Sequence, residues 1–352
     1  MQIINMLEIP GEYGSGSGTI VRLATALSAL TGKPVRISDI RAKRPSPGLH
    51  HQHLEAVRTI AKLCSGKLKG DEVGSKEIEF VPGKIKHGNF DINIETAGSI
   101  GLLGYAVLIP AVLAKGKTIL NIKGGSTASL WSPPVYYMEN VLFPVLAKMG
   151  IQANFAIKRH GFYPVGGSDV VFEISPVREI RPLKLTEPGE VVKISGLSIA
   201  SASLKNRNVA ERQIAGYRRI IRKEKDVDIK PLYVESKSPG SVFVAWAETT
   251  TGCILSGDHT GEERKPAEVV GEEAAFKLQE EMKYRSTVGN FLADQLIPFM
   301  ALAGGRSEII APDMTEHIKT NVWLCEKFLG SKFSIREDGE NFRISCSGRS
   351  GK

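Results

Sequence analysis

Cysteine is scarce in this sequence, and its arrangement does not suggest metal binding. The 352 residues include four cysteines, and none of them forms a CxxC pair: Cys64, Cys253, Cys325 and Cys346. The absence of paired spacing argues against a zinc site or a disulfide framework. A reducing compartment is the simplest setting for such a chain, so we expect a cytoplasmic location.

Long hydrophobic runs are also missing. The longest apolar stretch, 100–114, is interrupted by Gly101, Gly104 and Pro110, so it is too short to span a membrane. It predicts a buried helix instead. The first fourteen residues lack a basic flank followed by an apolar run, and we therefore expect neither a signal peptide nor a membrane partner.

What the chain does have is an excess of positive charge. Lysine and arginine number 46 against 38 acidic residues, which gives a net charge of +8. A field of that sign attracts polyanions such as nucleic acid, although many basic proteins bind none. The hydrophobic fraction of 42% is typical of a globular protein, and the length favours two domains over one.

One pattern occurs three times along the chain. It consists of an apolar helix, a glycine break, a short β-branched strand, a polar loop and a second helix. The three copies begin at helices predicted over Thr19–Leu30, Leu102–Ala114 and Val288–Ala303. Their glycines, Gly32, Gly116 and Gly304–Gly305, are expected to end each helix in a left-handed residue. This alternation predicts an α/β (α+β) fold with helices covering one face of each sheet.

The spacing of the copies predicts an inserted domain. Gly32 and Gly116 are 84 positions apart, whereas Gly116 and Gly304 are 188 apart. The chain also becomes denser in charge between about 186 and 280, where two βα passes are predicted, with helices over 208–222 and 266–283. We therefore predict a large domain over 1–185 and 281–352, with a small α/β domain over 186–280 inserted into it.

The segment 11–19, GEYGSGSGT, is a candidate anion site, because successive glycines and a helix N-terminus bring backbone N–H groups together. A flexible turn into a helix is an equally good interpretation. Arg22 lies one turn into that helix, and Arg41 and Arg44 follow the next strand. Together these arginines could clamp phosphates, although exposed loop arginines are usually only solvated.

Histidines give two candidates for chemistry. His317 begins the last helix, where the helix terminus can keep an imidazole neutral and therefore nucleophilic. His160 lies in 159–168, RHGFYPVGGS, for which a structural role is favoured, with Phe162 and Tyr163 in the core. The cluster at His50, His51 and His53 has the wrong spacing for a metal site on a helix, and we expect solvated or capping side chains there.

Several strings resemble the RNA 3'-terminal phosphate cyclase family, in order along nearly the whole chain. They are RHGFYPVGGS at 159–168, IRAKRPSPGLHHQHL at 40–54, TAGS at 96–99, FLADQL at 291–296 and HIKTN at 317–321. The resemblance implies three helix–sheet repeats with a small inserted domain. It also implies an enzyme that converts an RNA 3'-phosphate into a 2',3'-cyclic phosphodiester, consuming ATP to AMP and pyrophosphate.

The resemblance further implies roles for individual residues. His317 would carry AMP covalently, and the phosphates of ATP or RNA would contact Arg22, Arg41, Arg44 and Gln52. The adenosine pocket would be formed by Phe291, Asp294 and Gln295 with Pro133 or Pro134 opposite, and Asn321 would also contact the nucleotide. A divalent cation, Mg²⁺ or Mn²⁺, would offset the charge of the triphosphate.

One departure from the family pattern concerns the metal. The family's GEGGGQ is GSGSGT here, so Ser15 replaces an acidic residue, and Glu12 is a possible substitute. We expect weaker metal affinity or an altered nucleotide preference. Two alternatives stay open: a catalytically inactive cyclase-like protein that binds RNA or assembles ribosomes, and an enolpyruvyl transferase, a class that shares this kind of repeat.

Overall fold

The computed structural model describes residues 6–130, 132–221 and 227–349. The predicted mixed α/β fold is confirmed: helices alternate with strands, and the described strands form four sheets. No helix among these residues is both long enough and apolar enough to cross a membrane. All four cysteines are buried free thiols.

The first helix–sheet unit contains four strands and two helices. These are β1 (Leu7–Pro10), α1 (Gly18–Thr31), β2 (Val35–Ser38), α2 (His51–Cys64), β3 (Lys67–Lys69) and β4 (Ile78–Val81). The sheet order is β1-β2-β4-β3, in which β1 and β2 are parallel and the other pairs antiparallel. Helix α1 begins at the N-cap Ser17, whose side chain accepts a hydrogen bond from the Thr19 amide.

The second unit repeats this order, with its second helical segment divided by a π-helical turn. Its elements are β5 (Gly88–Ser99), α3 (Ile100–Ala111), β6 (Thr118–Ser126), α4 (Val135–Tyr137), a π-helical turn (Met138–Leu142), α5 (Phe143–Lys148), β7 (Gln152–Arg159) and β8 (Asp169–Ser175). The sheet order is β5-β6-β8-β7, again with one parallel pair, β5 and β6. Helix α3 is the predicted buried apolar helix, and its N-cap is Ser99.

The region between the second and third units forms a sheet of its own. It contains β9 (Val191–Ser201), a 3₁₀ turn (Ala202–Arg207), α6 (Val209–Ile220), β10 (Val227–Val234), β11 (Ser241–Thr249), β12 (Ile254–Thr260) and α7 (Ala267–Lys283). The order is β10-β9-β11-β12, and α6 and α7 cover one face around Tyr217 and Phe243. The strand β12 was not predicted from the sequence, and Arg222 of the predicted helix lies outside the described residues. The domain limits themselves stay a prediction.

The third unit is shorter. It consists of α8 (Asn290–Leu302), β13 (Ser307–Ala311), α9 (Glu316–Leu329), β14 (Phe333–Asp338) and β15 (Asn341–Cys346), and its sheet has the order β13-β15-β14. Helix α1 packs against α2, α3 and α9, and α9 packs against α8. This packing brings the N-termini of α1 and α9 together, and the candidate site lies there.

The prediction about helix-ending glycines is right for only one unit. Gly32 ends α1 with φ of 72°, in the left-handed region. In contrast, α3 ends at Val112 in a right-handed conformation and α8 ends at Ala303 in an extended one. Gly116 and Gly304–Gly305 do not have the positive φ that was expected. In these units the chain leaves the helix before it reaches the glycine, so no left-handed residue is needed at that point.

Candidate functional site

A glycine-rich loop leads from β1 into α1 and packs against α9. Gly14 has φ of 50°, and a Cβ atom on it would lie 2.4 Å from the Thr320 Oγ1 of α9. Only glycine therefore allows the loop to approach the helix this closely. The adjacent Ser15 amide donates to the same Thr320 hydroxyl at 3.4 Å. This contact joins the loop before α1 to the first turns of α9.

His317 lies in the first turn of α9, as the sequence predicts. The N-cap Thr315 accepts a hydrogen bond from the Ile318 amide at 3.2 Å, which fixes the start of the helix. The half-buried His317 ring turns its Nδ1 atom toward the Thr19 Oγ1 of α1, at 3.4 Å. Burial lowers the pKa of His317, and the charges of Arg22 and Arg44 lower it further. The imidazole is thus neutral at neutral pH, the form that can act as a nucleophile.

The Arg22 side chain connects Thr19 to His53, whose role was predicted wrongly from the sequence. Its Nη2 donates to Thr19 Oγ1 at 3.2 Å, and its Nη1 donates to the Nδ1 of His53 at 2.6 Å. Burial lowers the pKa of Arg22 to about 10, so the guanidinium stays charged at neutral pH. The site therefore contains a continuous chain of contacts from His317 through Thr19 and Arg22 to His53.

The prediction of a solvated or capping role for His53 is wrong. Its side chain is buried, and burial together with the positive charge of Arg22 lowers its pKa to about 2, so it accepts a hydrogen bond as a neutral ring. Gly18 makes room for the ring, because a Cβ there would lie 2.1 Å from His53 Nε2. A signal was present: Val57, Ile60 and Cys64 follow His53 along the buried stripe of α2.

Arg41 and Arg44 lie in the loop after β2, as predicted, and both are oriented by backbone carbonyls. Arg41 donates to Ser46 O at 3.0 Å, and Arg44 donates to Ser15 O at 2.9 Å. Burial lowers the pKa of Arg41, and the charge of Arg44 adds to that effect. With Arg22 they form a cationic group, of which Arg22 and Arg44 act directly on His317. Such a group favours an anion, for example a phosphate chain.

Gln52 is the second residue of α2, immediately before His53. It is half-buried, and its Cα lies 3.8 Å from the position that a Cβ on Gly98 would occupy. The last residues of β5, 96–99, therefore lie next to the start of α2. Gln52 thus lies next in sequence to the residue that contacts Arg22, and it is close to the second helix–sheet unit.

The predicted nucleotide-contacting residues of α8 and α9 come together on one side of the cationic group. Asn321 donates its side-chain amide to the Asp294 carbonyl at 2.8 Å. The Tyr137 hydroxyl donates to Gln295 Oε1 at 3.3 Å, so α4, which begins directly after the two prolines, contacts α8. Burial raises the pKa of Asp294 to about 8, so at neutral pH its carboxyl is largely protonated and can donate a hydrogen bond.

Phe291 is 65% exposed at the start of α8, so an aromatic face is available to a ligand there. Asn321 Oδ1 is buried and has no hydrogen-bond partner among the described residues. A buried acceptor without a partner costs free energy, which a donor on a bound ligand would recover. An exposed aromatic face and a buried acceptor without a protein partner are thus found on this side of the site.

The Glu12 and Ser15 region does not make a convincing metal site. Glu12 lies 3.7 Å from the Lys43 ammonium, and the Ser15 hydroxyl donates to Ser17 at 2.9 Å. Within the described ranges, no group of three or more histidine, cysteine or acidic side chains could hold a metal ion. A single carboxylate that already faces a lysine is a poor donor set for Mg²⁺ or Mn²⁺.

His160 has structural contacts, in line with the interpretation favoured from the sequence. The buried ring lies between the Thr127 hydroxyl at 3.3 Å and the Tyr136 hydroxyl at 3.2 Å. Burial lowers its pKa to about 4, so it is neutral at neutral pH. Phe162 is buried as expected, but Tyr163, which was expected in the core, is 77% exposed.

A family model and individual known proteins both assign the chain to the same family. A family model described as RNA 3'-terminal phosphate cyclase matches residues 13–335. The RNA 3'-terminal phosphate cyclase of Pyrococcus abyssi is 44% identical over 337 residues, covering 95% of this chain and 96% of its own length. That of Methanopyrus kandleri is 40% identical over 347 residues, covering 96% and 97%.

Among solved structures, the enolpyruvyl transferase NikO from Streptomyces tendae matches with a TM-score of 0.38 and 9% identity. That match covers 96% of this chain and 48% of the other. A likeness at this level bears on neither the fold nor the function.

Proposed function

Because the chain belongs to the RNA 3'-terminal phosphate cyclase family, we propose that it converts the 3'-terminal phosphate of RNA into a 2',3'-cyclic phosphodiester, with ATP consumed to AMP and pyrophosphate. The observation that carries the proposal is the neutral imidazole of His317, which lies at a helix N-terminus and within the field of Arg22 and Arg44. Nucleophilic side chains of this kind form covalent intermediates that split a difficult step into easier ones.

In the first step His317 attacks the α-phosphorus of ATP. Because Nδ1 faces the Thr19 hydroxyl, we assign the attack to Nε2, with the Nδ1 proton donated to Thr19. A bond forms between Nε2 and phosphorus, the bond from that phosphorus to the bridging oxygen breaks, and pyrophosphate leaves. Arg22, Arg41 and Arg44 stabilise the charge that develops on the phosphate oxygens.

In the second step a 3'-phosphate oxygen of the RNA attacks the phosphorus of the His317 adduct. The bond between phosphorus and Nε2 breaks, its electron pair returns to Nε2, and the imidazole, which has kept its Nδ1 proton, leaves as a neutral group. AMP is now joined to the RNA 3'-phosphate. In the third step the vicinal 2'-hydroxyl attacks the 3'-phosphorus, loses its proton, and AMP departs. We place Gln52 and the arginines around the RNA phosphate, because Gln52 immediately precedes His53, which accepts a hydrogen bond from Arg22.

The nucleotide itself is assigned to the side of the site formed by α8 and α9. The exposed Phe291 ring is suited to stacking on adenine, and Pro133 or Pro134 forms the opposite wall. Asp294, Gln295 and Asn321 supply polar contacts. The unpartnered Asn321 Oδ1 and the raised pKa of the Asp294 carboxyl support this assignment, since each suits a hydrogen bond to a ligand.

A divalent cation, Mg²⁺ or Mn²⁺, would arrive bound to the triphosphate and would offset its charge. The protein residues around Glu12 and Ser15 do not fit a metal site of their own, as described above. We therefore assign no step of the reaction to the cation. The reaction would take place in the cytoplasm, on RNA that carries a 3'-phosphate.

The second candidate is a catalytically inactive relative that binds RNA or assists ribosome assembly. The replacement of an acidic residue by Ser15 is the observation in its favour. The neutral His317 and its arginines favour the enzyme, because a binding protein has no need of a nucleophile. The enolpyruvyl transferase alternative is set aside by the family assignment.

Turnover on RNA tests the proposal. An oligoribonucleotide labelled at its 3'-phosphate is incubated with the protein, ATP and Mg²⁺ or Mn²⁺, and the label is then challenged with phosphatase. A cyclic phosphodiester protects the label, and one AMP should form for each end closed. If the label stays sensitive to phosphatase with either metal ion, the proposed reaction is wrong and the inactive alternative is supported.

A further inference from the structure

The turn at 159–168 holds an aromatic side chain that the proposed chemistry does not use. Tyr163 is 77% exposed, and Val165, two residues on, is 52% exposed. Contiguous exposed apolar surface is a feature of interaction sites, and these two side chains lie in the same short turn. Phe162, the residue before Tyr163, is buried. The turn therefore directs one aromatic side chain inward and the other outward.

The turn is held from several directions. Gly166 donates its amide to Phe162 O at 2.7 Å, and Val165 donates its amide to the Ser238 hydroxyl at 3.2 Å. The Phe162 ring packs against Gly240, where a Cβ would lie 2.3 Å from its Cγ atom. The backbone around Tyr163 is therefore fixed, so little conformational entropy of the chain is lost when a ligand binds to this side chain.

Two routes connect this turn to the candidate site. Thr127 accepts the Val135 amide at 2.9 Å and donates its own amide to Gly161 O at 2.9 Å, which links the turn to the segment after Pro134. On the other side, Gly166 lies against Ala97, and the neighbouring Gly98 lies against Gln52. The turn thus lies between the predicted wall of the nucleotide pocket and the residue assigned to the RNA phosphate.

The surface beside Tyr163 is suited to a polyanion. Arg159 donates its Nε to Gly167 O at 2.8 Å, and the Lys237 side chain passes over the same glycine. Glu235, whose carbonyl accepts the His160 amide, is an exposed acid on the same connection. Two cations and an exposed aromatic ring make the combination by which proteins bind single-stranded nucleic acid.

We propose that Tyr163 is a stacking platform for a base of the RNA substrate, one of the nucleotides on the 5' side of the terminal phosphate. This inference rests on the proposed function. When the terminal phosphate is bound near Gln52, the rest of the strand must leave across the neighbouring surface, and the Tyr163 turn is part of that surface. Arg159 and Lys237 would contact the backbone phosphates of the same nucleotides.

The test compares RNA cyclisation by wild type, Tyr163→Ala and Tyr163→Phe, with Phe276→Ala as a control. Phe276 is 49% exposed on α7, so its loss removes an exposed ring elsewhere. We expect Tyr163→Ala to raise the KM for RNA by roughly tenfold, in keeping with the usual contribution of base–aromatic stacking. Tyr163→Phe keeps a ring and should match wild type, as should Phe276→Ala.

Two further readouts separate this inference from the proposed function. Labelling of the protein by ATP in the absence of RNA should be equal in all variants, because no RNA base is involved. On RNA with abasic sites at the two positions before the end, wild type and Tyr163→Ala should have the same KM. If wild type cyclises RNA but Tyr163→Ala leaves KM unchanged, or raises it equally on abasic RNA, stacking is refuted. If wild type does not cyclise RNA, the proposed function itself has failed.

Discussion

Replacement of His53 should impair catalysis although the residue does not reach the reacting atoms. The His53 Nδ1 atom accepts a hydrogen bond of 2.6 Å from Arg22, and Arg22 in turn bonds the Thr19 hydroxyl that faces His317. In His53→Ala the buried guanidinium loses an acceptor and gains space to move. Its charge is then displaced from the position that stabilises the attack on ATP.

The magnitude follows from the strength of that bond. Hydrogen bonds to charged groups contribute about 1.5–3 kcal/mol. If the loss falls on the transition state, the rate of His317 adenylation drops by roughly 10- to 150-fold. His53→Asn places a side-chain oxygen at the position of Nδ1, so Arg22 keeps an acceptor and most of the rate should return.

The assay is single-turnover formation of the labelled protein from α-labelled ATP. His51→Ala is the matched control, because His51 is exposed on the same helix and should behave as wild type. Circular dichroism and the melting temperature show whether each variant is folded. A folded His53→Ala protein that is adenylated within about twofold of the wild-type rate would refute the positioning role, since the expected loss is larger.

Three further predictions concern the same residues. Gly18→Ala should reduce adenylation about as much as His53→Ala, because its Cβ would displace the His53 ring, and the double variant should be no slower than either single one. As the pH falls from 6 to 4, the free energy of unfolding of wild type should decrease by about 1.4 kcal/mol per pH unit more than that of His53→Asn. The reason is that only the unfolded chain takes up a proton at His53 in this range. Denaturant titrations at several pH values measure the two slopes. Equal slopes would contradict it. Finally, Ser15→Glu should lower the Mn²⁺ concentration for half-maximal adenylation by roughly tenfold, because it adds a charged ligand; an unchanged titration would show that Ser15 has no bearing on the metal.

Much of the fold could be predicted because its signals are local. The helix over Thr19–Leu30 was found within one residue at each end, since apolar periodicity and the Gly32 terminator agree there. The strand β12 was missed because Ile254–Thr260 contains few β-branched residues, and its pairing with β11 depends on contacts that no local pattern reports.

The site residues that could be predicted are those that lie in sequence motifs of the family, such as HIKTN at 317–321. His53 was misjudged because the spacing of three histidines was considered without the buried stripe of α2, on which His53 lies. Its partner, Arg22, comes from another helix, 31 positions earlier, so the contact depends on tertiary packing. Tyr163 was misplaced for a similar reason: the turn exposes it while burying its neighbour Phe162, and a run of two aromatics does not say which one faces inward.

The central claim is that His317 carries AMP covalently. The direct measurement is incubation of the pure protein with α-labelled ATP and Mg²⁺ or Mn²⁺, followed by denaturing electrophoresis, with His317→Ala alongside. The account predicts an acid-labile label on the wild-type chain and none on the variant. A label that survives in His317→Ala would assign the chemistry to another residue, and no label with either metal ion would mean that the chain is not a nucleotidyl-histidine enzyme.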